Sequence, residues 1–509
     1  MRLWTSLTVL AFWLLAPAAV AERINQEGRI LGPAPVVAAP TLFNTSAADT
    51  IIAATQIFPL DNPWNEDISR RPLLTNSSAM IAQITNDLGA SRSNLRLFTE
   101  MNFVLVPDNQ PLIPIHFDTY PDESDPSPYP IPSNMPIETW PVGTGSLTLQ
   151  QWQLNVTGDT GDRHAIVVQP GAGFLWETWQ AQLLSTNGTG TNWQASNGAK
   201  FNLNSDALRP AGWTSGDAAG LAMFPALVRY DECERGMVEH AMRLVVKRTR
   251  VGPIYPATHQ ASAGNQTNLN IPAMGQRLRL KANFNVPSNW SKEEKAVLLG
   301  LKKYGAIVAD NGGFFSISIT PDDRYPASAF QHMSSISVTN FEVIQTTGPT
   351  EGPRSPGAPH ADAGPDLTVG VGAMVSLNGN VTWSNLAPAI QWKLYTGPGT
   401  VAFGSATNAT TSATFDTVGD YTLMLSAADG VHTVAYDAVV VHVVSSINVL
   451  ISRTGTQVKI DWNGGTPPYV LEHASLPGAI SWSPLLTNNT TSVTMSIPDE
   501  AELFRVRGQ

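Results

Sequence analysis

Proline and glycine interrupt the chain between residues 346 and 360, where the sequence TTGPTEGPRSPGAPH cannot continue a regular helix or strand. We predict a linker here, so the chain must build a core on each side of it. At about 150 residues per domain, 509 residues suggest roughly three domains. We expect a main domain at 51–345, a second at 361–444 and a small third at 446–509. Residues 22–50 are rich in alanine and proline without periodicity, which predicts a further linker.

The first 21 residues have the pattern of a secretory signal peptide. Arg2 supplies a positive charge, residues 3–15 are apolar apart from threonine and serine, and the run AVA ending at Ala21 is a small-residue cleavage site. The alternative, a membrane anchor, needs about 20 apolar residues, and Pro17 ends this stretch too early. We therefore expect a secreted, extracellular protein that is cleaved near Ala21 and is not inserted into a membrane.

Charge and cysteine content exclude several classes of function. The chain has 30 Lys and Arg against 41 Asp and Glu, a net charge of −11 with no basic cluster, so nucleic acid is not an expected partner. One cysteine, Cys233, rules out an internal disulfide framework and a multi-cysteine metal site. The sequence contains no nucleophile elbow, HExxH motif or phosphate-binding loop. We expect neither a metal nor a cofactor, and the sequence leaves the oligomeric state open.

The region after the linker alternates between apolar and polar residues. ADAGPDLTV (361–369), VSLNG (375–379) and FDTVGDYTL (415–423) are short strands separated by turns, as is typical of a β-sandwich. This region closely resembles the polycystic-kidney-disease (PKD) domain, and the resemblance implies an immunoglobulin-like fold with a spacer or binding role outside the cell. The last region, 446–509, alternates in the same way and ends in FRVRGQ, which resembles the fibronectin-like modules of secreted bacterial proteins.

Strand patterns dominate the main domain, and we expect a mainly β fold, a large β-sandwich or jelly roll with a few helices. One helix is clearly indicated, because Ser291 and Glu294 form a capping box and Gly305 closes the helix. Residues 306–319 then predict a hairpin around a tight Asn-Gly turn. A second, short helix is predicted to start at Thr214.

A polar pair lies on the predicted strand at 161–168. Alternation places Asp162 and His164 on the same face of this strand. A carboxylate beside an imidazole could orient a general base. The alternative is a hydrogen-bonded pair at the rim of a sheet, with no role in chemistry.

The next predicted strand combines a carboxylate with aromatic rings. Glu177 and Trp179 lie on one face and Trp176 lies on the other. Rings stack on the apolar faces of sugars while carboxylates bind hydroxyls, so this pattern suits a glycan site. Burial beside tryptophan would also raise the pKa of Glu177 towards that of a general acid. The alternative is a packed strand with a solvated Glu177.

Residues 207–243 interrupt an apolar run with polar and charged side chains, which is costly unless these groups are paired or used. Asp217 is predicted to complete the cap of the short helix. Residues 237–243 predict a strand with His240 and Arg243 on opposite faces. The other candidate residues of this stretch are Trp213, Arg229, Asp231 and Glu232.

The same stretch resembles a family of secreted bacterial proteins. The resemblance is carried by DNPWN (61–65), ALRPAGWTS-DAAGL, RYDE, HA-R and KKYGAIVADNG (302–312), and it covers most of 55–335. It implies an extracellular location and frequent association with PKD domains, but it implies no mechanism.

A row of basic residues lies on the predicted strand at 276–283. Arg277, Arg279 and Lys281 share one face, about 7 Å apart at two-residue steps. Three like charges in a row repel one another unless they face water or an anion. A uronate or a sulfated glycan would be such an anion, and a solvated face is the alternative.

The leading hypothesis is a secreted enzyme that acts on a polysaccharide or a cell-surface glycan. In a hydrolase, Glu177 would protonate the leaving oxygen, and Asp231 or Glu232 would act as base or nucleophile. Expected substrate contacts are Trp176, Trp179, Trp213, Arg229, Asp162, Asp217, Arg277 and Arg279.

A lyase is the second enzymatic hypothesis. His164 or His240 would remove the proton next to a uronate, and Arg243 or Arg229 would neutralise the carboxylate of the sugar. The alternative to both enzymes is a non-catalytic protein, either carbohydrate-binding or adhesive, outside the cell.

Overall fold

The structure, a computed structural model, describes residues 22–154, 161–185, 193–261, 267–445, 447–465, 467–475, 482–496 and 502–508. The predicted signal peptide at 1–21 lies outside the described residues. The described chain is mainly β, as expected. It forms a larger unit, made mainly of Arg23–Ala358, and a smaller unit, made mainly of Pro359–Asp429 and Val434–Gln509.

The larger unit combines short strands with a few helices. Within its described residues the α-helices are α1 (Ser46–Ala53), α2 (Ser77–Leu88), α3 (Leu149–Leu154), α4 (Tyr230–Arg235) and α5 (Lys292–Lys303). The strands are β1 (Thr41–Leu42), β2 (Leu95–Thr99), β3 (Val104–Leu105), β4 (Ile115–Phe117), β5 (Ala165–Gln169), β6 (Phe174–Trp179), β7 (Gln182–Leu183), β8 (Trp193–Ala195), β9 (Asn197–Asn202), β10 (Met242–Val246), β11 (Arg277–Leu280), β12 (Ala306–Asn311), β13 (Phe315–Ile319) and β14 (Phe341–Val343). Short 3₁₀ helices lie at Pro121–Glu123, Phe224–Ala226, Met333–Ser335, Val338–Asn340 and Gly352–Arg354.

Two mixed sheets build the larger unit. Their strand orders are β1-β3-β5-β6-β9 and β14-β11-β12-β10-β13-β2, and a small third sheet has the order β4-β8-β7. Ile166 and Leu175 of the first sheet share one core with Leu244 and Val308 of the second. The opposite face of β5 and β6 belongs to another core, which contains Trp176. Because β5 and β6 are antiparallel neighbours, the first residue of β5 and the last residues of β6 lie side by side at the same end of the two strands.

Helix α5 begins and ends where the sequence predicts. The hydroxyl of Ser291 accepts a hydrogen bond from the backbone N–H of Glu294 at 2.9 Å, and the carboxylate of Glu294 accepts one from the N–H of Ser291 at 3.0 Å. Gly305 follows the helix with a φ of 66°, and a Cβ there would lie 2.2 Å from the carbonyl oxygen of Leu278. Only glycine fits this turn, which leads directly into β12.

The predicted hairpin at 306–319 is wrong in its pairing. β10 lies between β12 and β13, parallel to the first and antiparallel to the second. A turn signal shows only that the chain reverses, and here the fully buried side chains of Met242 and Leu244 fill the central position between the two strands. The strand predicted at 237–243 begins only at Met242. The described residues 214–220 form no helix, although a short helix was predicted to start at Thr214. The carboxylate of Asp217 pairs with Arg243 and does not act as a cap.

Residues 22–50 are not a free linker, because they pack on the larger unit. Phe43 is buried in its core, and β1 and α1 begin within this segment. Arg29 forms an ion pair with Glu239 at 3.0 Å. The alanine and proline content of the segment hid these anchors, since each apolar anchor is a single residue without periodic neighbours.

The predicted linker at 346–360 is also attached to the larger unit over part of its length. Arg354, whose side chain is 4% exposed, pairs with Glu66 at 3.0 Å across 288 residues of sequence. The hydroxyl of Thr347 donates to the same carboxylate at 3.1 Å. Residues 346–359 contain no strand, and β15 begins at the last residue of the segment, His360. The sequence cannot reveal a partner so far away along the chain.

The smaller unit consists of short strands around two cores. Its strands are β15 (His360–Asp362), β16 (Leu367–Gly370), β17 (Met374–Asn378), β18 (Asn380–Thr382), β19 (Ala389–Thr396), β20 (Val401–Phe403), β21 (Thr410–Phe415), β22 (Gly419–Ala428), β23 (Ala435–Val444), β24 (Asn448–Thr454), β25 (Gln457–Asn463), β26 (Tyr469–Ser475), β27 (Ser483–Asn488), β28 (Ser492–Ser496) and β29 (Glu502–Arg507). The first core contains Trp392 and Tyr421 between the sheets β16-β23-β22-β19 and β17-β21-β20. The second contains Trp462 and Leu471, from the sheets β24-β25-β28 and β27-β26-β29. Across the described parts of both units, no helix combines the length and hydropathy needed to cross a bilayer.

Candidate functional site

A cleft in the larger unit brings together several of the residues singled out in the sequence. It contains about 730 Å³ of space, part of it open to solvent, between the start of β5, the end of β6, the end of β12 and the loop at 214–218. We call it the acidic cleft. Its polar and aromatic lining includes Tyr120, Asp162, His164, Trp179, His259, Asp310 and Asn311.

Two aromatic rings lie beside a carboxylate in the acidic cleft. The ring centroids of Tyr120 and Trp179 are 6.1 Å apart, with an angle of 35° between the ring planes. The indole nitrogen of Trp179 donates a hydrogen bond to Asp162 at 3.4 Å. Asp162 is exposed, whereas most of its neighbours on β5 and β6 are buried. Such a pair of rings can contact the apolar face of a sugar while the carboxylate accepts from its hydroxyls.

His164 lies at the inner end of the acidic cleft and is 3% exposed. Its backbone N–H donates to the carboxylate of Glu138 at 3.1 Å. Burial lowers the pKa of the imidazole to about 4, although Asp162 opposes this shift. The ring is therefore neutral at neutral pH. Its Nδ1 is buried without a hydrogen-bond partner among the described residues.

Asp310 forms part of the wall of the acidic cleft, and a buried arginine holds it. Arg243 donates to Asp310 at 2.8 Å and to both carboxylate oxygens of Asp217 at 2.7 and 2.9 Å. Burial raises the pKa of Asp310 against the opposing effect of Arg243. Burial likewise raises the pKa of Asp217, to about 6. A raised pKa brings a carboxyl group closer to the range in which it can donate a proton in a reaction.

Two further carboxylates, Glu100 and Glu138, lie near Arg243, and neither was predicted as a site residue. Burial raises the pKa of Glu138 to about 8, and the neighbouring Glu100 adds to the shift. Burial also raises the pKa of Glu100, with Arg243 opposing. Glu138 lies outside any helix or strand and Glu100 directly follows β2, so no periodic pattern marks either of them.

His259 and Asn311 complete the polar lining, and neither was predicted as a site residue. Nδ1 of His259 lies 2.7 Å from the carbonyl oxygen of Ala218, which can only accept, so Nδ1 carries the proton. The amide nitrogen of Asn311 donates to the hydroxyl of Thr249 at 3.3 Å, while its Oδ1 is buried without a partner among the described residues. Asn311 ends β12 next to Asp310, so the KYGAIVADNG motif was the available signal for both.

Glu177, the predicted general acid, does not line the acidic cleft. It is fully buried on β6 and accepts hydrogen bonds from the backbone N–H groups of Met223 and Phe224, at 2.8 to 3.0 Å. Burial raises its pKa to about 8, while these two N–H groups oppose the shift. The expected shift is therefore present, but the carboxyl group serves to hold the chain at residues 223–224.

The predicted residues Asp231, Glu232, Arg229 and His240 form a separate buried ion network. Arg229 contacts Glu232 at 2.9 Å and Asp231 at 3.7 Å, and Nε2 of His240 lies 3.1 Å from Glu232. Arg235 contacts Asp231 at 2.6 Å. None of these residues lines the acidic cleft. Since each charge has a partner of opposite sign, the cluster joins α4 to the loop before β10.

The remaining predicted substrate contacts also lie outside the acidic cleft. Trp176 is 8% exposed and packs in a core, and Trp213 lies beside the guanidinium of Arg209. Arg277 and Arg279 are buried, so neither a solvated face nor an anion site is present at these two positions. Their partners are carboxylates of the larger unit: Glu66 at 3.2 Å from Arg277, and Glu342 at 2.7 Å from Arg279.

Metal and family comparisons add no assignment. Within the described ranges, no group of three or more His, Cys, Asp or Glu could hold a metal ion. No protein-family model matches the sequence, and no curated protein matches it either. The expected membership in a family of secreted bacterial proteins is therefore not supported.

Parts of the chain are similar to solved structures of β domains. A PKD domain from the KIAA 1837 protein is 23% identical, covers 19% of this chain and 93% of its own, and has a TM-score of 0.16. Fibronectin(III)-like modules of Clostridium thermocellum CbhA are 11% identical, with 29% and 84% covered and a TM-score of 0.18. The D00–D0 domain of intimin is 12% identical, with 27% and 84% covered and a TM-score of 0.17. Similarities of this size carry no conclusion about what this chain does.

Proposed function

We propose that this chain is a secreted protein that hydrolyses a glycan in the acidic cleft of its larger unit. One observation carries the proposal: two carboxylates, Asp162 and Asp310, line the same cleft as the ring pair of Tyr120 and Trp179. Glycoside hydrolysis needs a pair of carboxyl groups on the two sides of the scissile bond. The rings supply the apolar surface that orients a sugar between them.

The two carboxyl groups have different surroundings, which suits two different roles. Asp310 is three-quarters buried, and burial raises its pKa, which is the direction required of the acid that protonates the leaving oxygen. Asp162 is exposed at the mouth of the cleft and suits the base or the nucleophile. His164, neutral and without a partner at Nδ1, is placed to bind a hydroxyl of the substrate.

A lyase reaction on a uronate fits the acidic cleft less well. Such a reaction needs a cation to neutralise the carboxylate of the sugar. Among the described residues that line the cleft there is no Lys or Arg. Arg243 lies behind the wall and is already bonded to Asp217 and Asp310. We therefore favour hydrolysis over elimination.

The smaller unit is proposed to be a spacer or binding module. The support is the resemblance of residues 361–444 to a PKD domain and the strand-rich fold of the unit. Together with the signal-like pattern at 1–21, this supports a location outside the cell. In this arrangement the larger unit carries the chemistry, and the smaller unit holds it near a glycan surface.

In the first test, the full chain is incubated with a panel of neutral, amino and acidic polysaccharides, and the release of reducing ends is measured. D162N and D310N should each lower turnover at least about 100-fold. D323N changes an exposed carboxylate outside the acidic cleft and is the matched control. Since Asp310 pairs with Arg243 and D310N could disturb the fold, D162N at its exposed site keeps the test decisive. Full turnover in D162N would overturn the proposed roles.

A non-catalytic glycan-binding protein is the second candidate. It is favoured by the bond between Asp310 and Arg243, which also suits a purely structural carboxylate. This candidate predicts that the full chain binds a glycan of the panel without releasing reducing ends from any of them. It also predicts that D162N lowers affinity, with no turnover to lose.

A further inference from the structure

The acidic cleft is rich in hydrogen-bond acceptors and lacks lining cations. We infer that its ligand is a glycan that carries free, protonated amino groups, such as a polymer of unacetylated glucosamine. This inference rests on the proposed glycan site and names the substrate class for it.

The lining charges are negative. Asp162 and Asp310 line the cleft, and no Lys or Arg does so within the described residues. Arg243, a cation near the wall, is shared between Asp310 and the buried Asp217, so it does not balance both carboxylates and leaves Asp162 unmatched. A uronate or a sulfated sugar would add negative charge to this cleft, whereas an ammonium group would neutralise it.

Two polar atoms in the cleft are buried without partners, and both accept from a donating ligand when the neutral ring of His164 carries its proton on Nε2. Nδ1 of His164, a residue 97% buried, has no partner, and Oδ1 of Asn311 has none while its amide nitrogen is bonded to Thr249. Buried polar atoms of this kind cost free energy unless a ligand or water satisfies them. An ammonium group carries three donors and no acceptor, so it complements this set better than a hydroxyl, which brings an acceptor too.

The rings at the mouth are compatible with the same ligand. Tyr120 and Trp179 lie next to Asp162, and the indole nitrogen of Trp179 points at its carboxylate. A sugar that stacks on these rings brings a substituent of its ring within reach of the carboxylate. An ammonium substituent gains a charge-assisted hydrogen bond there and an attraction to the ring faces.

The experiment compares two oligosaccharides of equal length with the full chain, one of glucosamine and one of N-acetylglucosamine. Binding is measured by calorimetry at about pH 6, where an amino group with a pKa near 8 is charged. The glucosamine oligomer should bind at least about tenfold more tightly. Salt at about 0.5 M should reduce this preference, since it screens exposed charges. D162N should remove most of the preference, and D323N should leave it unchanged.

Reducing-end release on the same two oligomers separates this inference from the proposed hydrolysis. Binding of glucosamine oligomers without cleavage supports the inference and overturns the proposed hydrolysis. Cleavage of the N-acetylated or another neutral glycan in preference supports hydrolysis and overturns the inference. Equal binding of the two oligomers, binding of neither, or a preference that D162N leaves intact also overturns the inference.

Discussion

Arg243 of β10 donates a hydrogen bond to Asp310 of the neighbouring parallel strand β12, at 2.8 Å. Through its other donors the same guanidinium holds Asp217, at 2.7 and 2.9 Å. One buried cation therefore fixes both a wall of the acidic cleft and the loop at 214–218 that borders it. Arg243 was predicted to contact the substrate, but its Nε and Nη2 donate to Asp217 and Asp310 instead.

Replacing Arg243 by methionine should strongly destabilise the larger unit. R243M leaves the carboxylate of Asp217 buried and uncompensated, and breaking one side of a buried ion pair costs about 3–5 kcal/mol. Urea unfolding of the full chain measures the loss as a lower midpoint of the larger unit. R248M is the control, since the pair of Arg248 with Asp87 is partly exposed and contributes less than about 1 kcal/mol. A loss of under about 1 kcal/mol in R243M would show that the ion pair is dispensable.

Local patterns predicted part of the site and of the fold. The capping box of Ser291 and Glu294 is set by residues three apart, and α5 forms as expected. Strand alternation placed Glu177 and Trp176 on opposite faces, and the structure buries them in different surroundings. Signals of this kind depend on neighbours in sequence, which propensity and periodicity record.

Partners distant in sequence were not predictable. Arg277 bonds to Glu66 across 211 residues, so an apparent row of free cations is neutralised by a carboxylate from another segment. Asp310 and Asp162 line the same cleft because the end of β12 lies near the start of β5, which belongs to the other sheet. Alternation gives the face of a strand but not what packs on it, and this gap explains the misassigned roles of Arg277 and Arg243.

The stability of the larger unit should fall as the pH rises from about 5 to 8. Burial raises the pKa of Glu177 to about 8 from its ordinary value of 4.5, so the folded state binds more protons than the unfolded state in this window, and stability is lost with rising pH. E177Q mimics the protonated carboxyl group. It should reduce the loss of unfolding free energy between about pH 5 and pH 8 by more than about 1 kcal/mol. Part of the pH dependence should remain in E177Q, since burial also raises the pKa of Glu138 to about 8. Urea unfolding across this pH range measures how the unfolding free energy of the wild type and of E177Q changes with pH. Equal slopes for the two proteins would show that Glu177 does not titrate in this range.

Glu66 should make the larger unit sensitive to acid. Burial alone would raise the pKa of Glu66, but the guanidinium groups of Arg277, Arg354 and Arg71 outweigh burial and lower it. Its contribution to stability is therefore present above about pH 4.5 and lost as the pH falls below that value. E66A should cost about 3–5 kcal/mol at neutral pH and should remove this acid transition from urea unfolding curves.

The control for E66A is E234Q, because Glu234 forms an exposed pair with Lys292. That variant should change stability by less than about 1 kcal/mol. An E66A protein as stable as the wild type would mean that the three arginines find other partners or water.

Trp179 should carry binding energy for the glycan, whichever reaction follows. W179A removes the ring that pairs with Tyr120 and should weaken binding of the preferred oligosaccharide about fivefold, since such ring contacts contribute about 1 kcal/mol. W179F keeps a ring and should restore most of the affinity, which a loss of fold would not allow. W383A, at an exposed tryptophan of the smaller unit, is the matched control for calorimetry. If W383A weakens binding and W179A does not, the principal glycan contact lies in the smaller unit and the acidic cleft is not the binding site.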